Sequence, residues 1–162
     1  MYKNSGFLRS IKNALSGFWY ALKTERNLRF HTSVANLICV FAYFYGLSKP
    51  EWTILFLTIL LVLSSEVINT AIEHTVDIAT DKICNLAKIA KDTSAAATLL
   101  CAVFSVIIGI FLFGDTQKIL HTLSLILKTA FSGITEFLIL FSILILNIWL
   151  LFFCGQNREM KR

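Results

Sequence analysis

Within a long apolar stretch, Glu66, Asn69, Glu73 and Asp77 recur at intervals of three and four residues. On a helix these positions fall within about 80° of arc, so they form one polar ribbon on an otherwise greasy rod. Ionisable side chains at membrane depth are costly to keep, and where they occur they usually face a cavity and do work. A polar cap at the end of a helix would account for Asp77, but not for Glu66 or Asn69. Carboxylates so placed can share a Mg²⁺ ion, which typically takes one or two of them alongside phosphate oxygens. One partly withdrawn from water is also suited to accept a proton from a hydroxyl group.

Two further polar groups flank other apolar runs. Glu25 stands just before the first of them, with Arg29 one turn on; as a surface pair the two would be worth only a few tenths of a kcal/mol. Lys88, Lys91 and Asp92 stand at the mouth of the third run, where Asp92 could cap a helix and Lys91 could anchor it at the lipid boundary. Taken together, these residues offer carboxylates for Mg²⁺, a lysine for a phosphate and a deep carboxylate as base. Phosphoryl transfer mostly requires in-line positioning and neutralisation of charge. The set therefore fits transfer of a phosphoryl group to an alcohol that arrives through lipid. On chemistry alone it fits a cation pathway equally. No G-x-x-x-x-G-K-[ST] or glycine-rich kinase loop is present, and the seven glycines are scattered.

The elements that must position these groups are helices in a membrane. Of 162 residues, 56% are hydrophobic and one is proline, and the mean hydropathy is +0.70. A bilayer-crossing helix needs roughly 20 apolar residues, and four runs approach that, at 32–47, 52–72, 95–113 and 135–154. The first extends backward through Leu28 and Phe30. They predict one compact bundle with no separate soluble domain. No basic stretch followed by a short apolar core precedes residue 32, so no cleaved leader is expected. The cysteines, Cys39, Cys84, Cys101 and Cys154, have no C-x-x-C spacing and read as packing residues.

If the four runs alternate in direction, twelve of the fifteen Lys and Arg residues fall on one side. They are Lys3, Arg9, Lys12, Lys23, Arg26, Arg29, Lys82, Lys88, Lys91, Arg158, Lys161 and Arg162. Lys49, Lys118 and Lys128 fall on the other. Both termini are therefore expected to be cytoplasmic. Residues 7–22 predict a helix lying on the membrane, with Phe7, Leu8, Ile11, Leu15, Phe18, Trp19 and Leu22 on one face. Beside that face Ser10, Ala14, Gly17 and Ala21 form a line of small residues that could admit another helix. "SKPE" at 48–51 predicts a tight turn, with Pro50 in the first turn of the second run. Residues 115–131 predict a second surface helix, on the far side, with Ile119, Leu123, Ile126 and Ala130 on one face.

"TERNLRFH" (24–31), "SSEVINTAIEHTVDIATDK" (64–82) and "LAKIAKDTSAA" (86–96), in this order, resemble the prokaryotic diacylglycerol kinase family. The wording is closest to the branch that phosphorylates undecaprenol, and the resemblance covers about residues 6–114. It implies an all-α integral membrane fold: an N-terminal amphipathic surface helix and a three-helix transmembrane kinase core. The fourth, C-terminal span would be an addition. Residues 1–114 would form the kinase-like domain and 115–162 the extension. The resemblance further implies an ATP- and Mg²⁺-dependent lipid kinase of the cytoplasmic membrane, assembled as a homotrimer with active sites between protomers. No nucleic-acid partner is expected.

Carried over by position, the resemblance makes Glu66 the general base on the lipid hydroxyl, with Asn69 beside it at the substrate. Glu25 and Glu73 would hold the Mg²⁺ that bridges the ATP phosphates. Lys91 and Asp92 would contact the nucleotide, Lys82 would flank it, and Asp77 would support the ribbon nearby. Arg9 or Lys12 would reach the phosphates from the surface helix. The chain departs from the family in three places. His31 stands where the diacylglycerol-specific branch has an acidic residue, and the undecaprenol branch also carries His. The run after Asp92 reads S-A-A-A where close relatives often have glycine, which should tighten helix packing. Residues 115–162 run past the usual end. Undecaprenol is thus the expected substrate, diacylglycerol the near alternative, and a cation transporter or channel the alternative of a different class.

Overall fold

The structure, a computed structural model, describes residues 6–80, 84–152 and 154. Lys82, and the flanking cations Lys3, Arg158, Lys161 and Arg162, lie outside the described residues. Six helices follow one another, and no strand occurs among the described residues. They are α1 (Phe7–Thr24), α2 (Arg26–Tyr45), α3 (Lys49–Ala79), α4 (Asn85–Leu112), α5 (Thr116–Ala130) and α6 (Ile134–Phe152).

Local chemistry sets the boundaries. Glu25 alone separates α1 from α2; it adopts an extended conformation, and its N–H bonds Ala21 O at 2.7 Å. Gly46 ends α2 with φ 71°, a left-handed conformation that glycine adopts without steric penalty. Its N–H donates to Ala42 O at 3.1 Å. The turn predicted at 48–51 is a capped helix start. The Ser48 N–H and hydroxyl both donate to Glu51 Oε2, at 2.7 and 2.6 Å, and Pro50 occupies the first turn.

The widest packing seam joins α3 and α4. Its contacts step back along α3 as they advance along α4: Asp77 meets Lys91, Asn69 meets Ser94, and Ser65 O accepts from Thr98 Oγ1. The pair is therefore an antiparallel hairpin. Ser94 and Thr98 are buried along it, whereas Ala95, Ala96 and Ala97 are exposed. Within one chain, the small-residue run does not tighten this seam as expected. Its period sends the alanines to the other faces of α4.

Three helices, α3, α4 and α6, are long and apolar enough to cross a membrane. The expected first span lies in α2, which is not among them: Arg26, Asn27, Arg29, His31 and Asn36 interrupt its apolar run, and it stops at Tyr45. α3 is longer than expected, at 31 residues. That is about 46 Å of rise, well beyond a hydrocarbon core of about 30 Å.

α1 leaves Phe7, Leu8, Leu15 and Trp19 exposed, and buries only Ala21 and Leu22 at its end. Of the small-residue line, Ser10, Ala14 and Gly17 are exposed. α5 is capped by Asp115, whose carboxylate accepts from Lys118 N at 3.0 Å. Its less exposed line is Ile119, Thr122, Ile126 and Ala130; Leu123, expected on that face, is exposed. The far end of the bundle closes on Ala42, Tyr45, Leu55 and Leu112, with Phe113 edge-on to Tyr45 at 5.1 Å and Lys118 over the Tyr45 ring at 4.1 Å.

Gly46→Val forces a β-branched residue into the left-handed region. It should cost about 1–2 kcal/mol, read as a lowered denaturation midpoint in detergent micelles. An unchanged midpoint would refute the left-handed turn.

Candidate functional site

α3 carries the ribbon as one unbroken helix, so Glu66, Asn69, Glu73 and Asp77 project to one side at successive heights. Glu66 is the deepest and is 4% exposed. Its Oε1 lies 3.4 Å from His31 Nε2 on α2, and Thr70 Oγ1 donates to its backbone carbonyl at 2.9 Å. Asn69 spans two helices: its amide donates to Glu73 Oε1 at 2.8 Å and its carbonyl oxygen accepts from Ser94 Oγ at 2.6 Å. Nearer the end of α3, Asp77 forms an ion pair with Lys91 of α4.

The α1–α2 corner brings Glu25 to the same region. Tyr20, near the end of α1, places its ring 5.7 Å from that of His74, the neighbour of Glu73. The charges of Glu25 and Glu73 both bear on Glu66. Arg29 is turned inward, and its Nη1 donates to Leu22 O at 3.3 Å and Lys23 O at 2.9 Å, carbonyls left open at the end of α1. Its guanidinium thus closes the corner. α1 is continuous, which places Lys12 about 20 Å and Arg9 about 24 Å of helical rise from Glu25. Within one chain those two cations stand away from the cluster.

Asp92 is exposed in the first third of α4, not at its start. The cap role considered for it is overturned: α4 begins at Asn85, and Cys84 Sγ accepts from Ala87 N at 3.4 Å. The apolar run at 95–113 concealed this, because the earlier residues of α4 interleave Leu86 and Ile89 with Asn85, Lys88, Lys91 and Asp92 and form no continuous apolar run. His31 and Ser94 enter the site without having been assigned a role in it. Ser94 follows Lys91 by three residues and precedes Thr98 by four, a polar line on α4 that spacing does reveal. The His31–Glu66 contact joins two helices, and no local spacing encodes it.

No three His, Cys, Asp or Glu side chains among the described residues form a metal cluster by themselves. The Glu25 and Glu73 carboxylates are hard oxygen donors gathered in one region, and two are enough for Mg²⁺ when phosphate and water oxygens complete the shell. An apolar cleft of about 100 Å³ between α2, α3 and α4 runs from His31 to Phe113, lined by Val34, Ile38, Ile59 and Val62 among others. Of the site residues His31 lines this cleft, and its contact with Glu66 links the cleft to the acidic group.

Such a fold and site define a helical membrane protein with a group of carboxylates near an apolar cleft. The model of the prokaryotic diacylglycerol kinase family matches residues 12–113, and the chain belongs to that family, whose members are lipid kinases. Among curated relatives, undecaprenol kinase of Bacillus subtilis is 46% identical over 107 residues, covering 66% of this chain and 87% of the relative. A diacylglycerol kinase of Synechocystis is 40% identical over 103 residues, covering 63% and 59% respectively. One of Haemophilus influenzae is 32% identical over 118 residues, covering 70% of this chain and the whole of the relative. No solved structure matches.

The Asp77–Lys91 pair is substantially exposed, with side chains 61% and 36% accessible. A double-mutant cycle of Asp77→Asn with Lys91→Met should give a stability coupling below about 1 kcal/mol. A coupling above about 2 kcal/mol would make the pair a structural tie.

Proposed function

We propose that this chain phosphorylates undecaprenol, transferring the γ-phosphate of ATP to the lipid hydroxyl and releasing ADP. The observation that carries the reading is Glu66, a buried carboxylate in contact with His31, which lines one end of an apolar cleft. Its support from kinship is the 46% identity to the Bacillus undecaprenol kinase.

In this reading the prenyl chain lies among apolar side chains and its hydroxyl reaches Glu66. Glu66 takes the hydroxyl proton as the oxygen attacks the γ-phosphorus and the bond to ADP breaks. The proton then leaves Glu66 for solvent, restoring the base. His31, within 3.4 Å, gives the carboxylate a polar neighbour and orients it. Asn69 holds Glu73 through its amide and is itself held by Ser94, so a single side chain fixes both the carboxylate and the α3–α4 register. Glu25 and Glu73 would hold Mg²⁺, which when bound neutralises phosphate charge. Lys91 meets the nucleotide with Asp77 holding it in place, and Lys82 and Asp92 flank the same nucleotide.

The site and both termini lie on the cytoplasmic face of the cell membrane, where ATP is available; the uneven distribution of Lys and Arg along the sequence supports this orientation. Residues 1–114 form the catalytic unit and 115–162 an accessory one. α2 crosses the membrane along its full length as a helix of the core, and α1 lies on the surface through its exposed apolar face. Protomers assemble as homotrimers through the broad apolar surfaces of α3 and α4. Diacylglycerol is the second candidate substrate, favoured by the Synechocystis and Haemophilus relatives.

Purified protein in lipid bicelles with radiolabelled Mg-ATP should phosphorylate undecaprenol at least about tenfold faster than diacylglycerol. Glu66→Gln should lower turnover by about 10²–10⁴-fold with the oligomer unchanged by cross-linking. Undiminished turnover in that variant would sink the base assignment, and preference for diacylglycerol would reverse the substrate.

A further inference from the structure

The family match ends at residue 113, before α5 and α6, so nothing in the kinship explains the extension. Its position in the fold does. Leu150, near the end of α6, and Cys154 just beyond it pack in one buried cluster with Ala21, Leu22 and Leu28. These last three are the two sides of the α1–α2 corner, and Leu28 is 0% exposed. Glu25 is the only residue between the two helices. A one-residue connection has no slack, so whatever sets the angle between α1 and α2 also sets the position of the Glu25 carboxylate.

The same helix is registered along α2. Toward its start, Phe137, Leu140 and Leu144 share an apolar cavity with Leu37 and Val40, from the second half of α2. Toward its end it meets Leu28, from the first turn of α2. The two helices are thus antiparallel, and this register puts Asn147 level with Ser33. Both are buried, at 3% and 2% exposure. Asn147 Oδ1 and Ser33 Oγ each lack a hydrogen-bond partner among the described residues. A hydroxyl donor and a carboxamide acceptor that are both buried and unpaired on packed helices are chemically complementary.

We propose that α6 is a brace for the nucleotide end of the site: Asn147 and Ser33 fix its register on α2, and Leu150 wedges the α1–α2 corner so that Glu25 is held where Mg-ATP requires it. Leu150 is accordingly a positioning residue that touches neither substrate. The proposal rests on the reading of Glu25 as a ligand of the metal–nucleotide complex. Its distinctive consequence is selectivity, because the cluster around Leu150 centres on the corner and meets the apolar cleft only at its edge, through Leu63.

The test is steady-state kinetics on the full chain, varying Mg-ATP and undecaprenol separately. Leu150→Ala should raise KM for Mg-ATP about tenfold, as expected for a misplaced binding group, and leave KM for the lipid within about twofold. Leu150→Met should restore the wild-type value. Leu144→Ala, the same truncation farther up α6, should leave both constants within about twofold. If the alanine protein does not fold, Leu150→Val carries the test, with the same selectivity at smaller size. An unmoved KM for Mg-ATP in the Leu150 variants, an equal rise in the lipid KM, or an equal effect of Leu144→Ala overturns the brace while the kinase reading stands. Absence of Mg-ATP-dependent transfer in the wild-type chain overturns the kinase reading and the brace with it.

Discussion

Glu66 has to be kept out of water and still be given polar company, and much of the bundle is arranged around that requirement. A lone carboxylate in an apolar interior is strongly disfavoured, and it persists only where neighbouring dipoles and charges receive it. Here His31 approaches from α2, while Asn69 and Thr70 follow on the next turn of α3. These contacts require α2 to sit against α3 with little freedom. They also require α4 to be in register, because Ser94 secures the Asn69 carboxamide that in turn holds Glu73. A one-residue slip along the α3–α4 seam would turn Ser94 away from Asn69 and lose that link.

Length supplies the second constraint. α3 outruns the apolar thickness it has to cross, so the same helix passes from lipid-compatible residues through Glu66 to the exposed pair of Asp77 and Lys91. A single rigid rod therefore carries groups suited to an apolar substrate at one height and to a charged one a few turns away. That avoids the need for a separate nucleotide-binding domain, and it agrees with the absence of any glycine-rich phosphate loop in the sequence.

What could be read from the residues alone was whatever a single helix encodes. The polar ribbon and the capped start at Ser48 follow from periodicity and local chemistry and lie on α3, whereas the less exposed line of α5 holds Thr122 in place of Leu123. Relations between helices were out of reach, because sequence spacing has no term for them. The His31–Glu66 contact, the inward turn of Arg29 and the docking of Leu150 against Leu28 are of this kind. The cap reading of Asp92 fails for a local reason: α4 starts at Asn85, where Leu86 and Ile89 alternate with polar residues and form no continuous apolar run. α2 ends at Tyr45, and polar residues are frequent in its first turns.

The corner at Glu25 also has a history within the lifetime of each molecule. Chains emerge from the ribosome in order, so Leu28 enters the membrane long before Leu150 exists. Until α6 arrives, the cluster around Leu28 has its α1 members Ala21 and Leu22 but lacks Leu150 and Cys154. Closing that contact brings together segments far apart in the chain, at an entropic cost that grows only slowly with separation. The contact of α6 with the corner is thus a late step of biogenesis, made after α1–α4 have been synthesised.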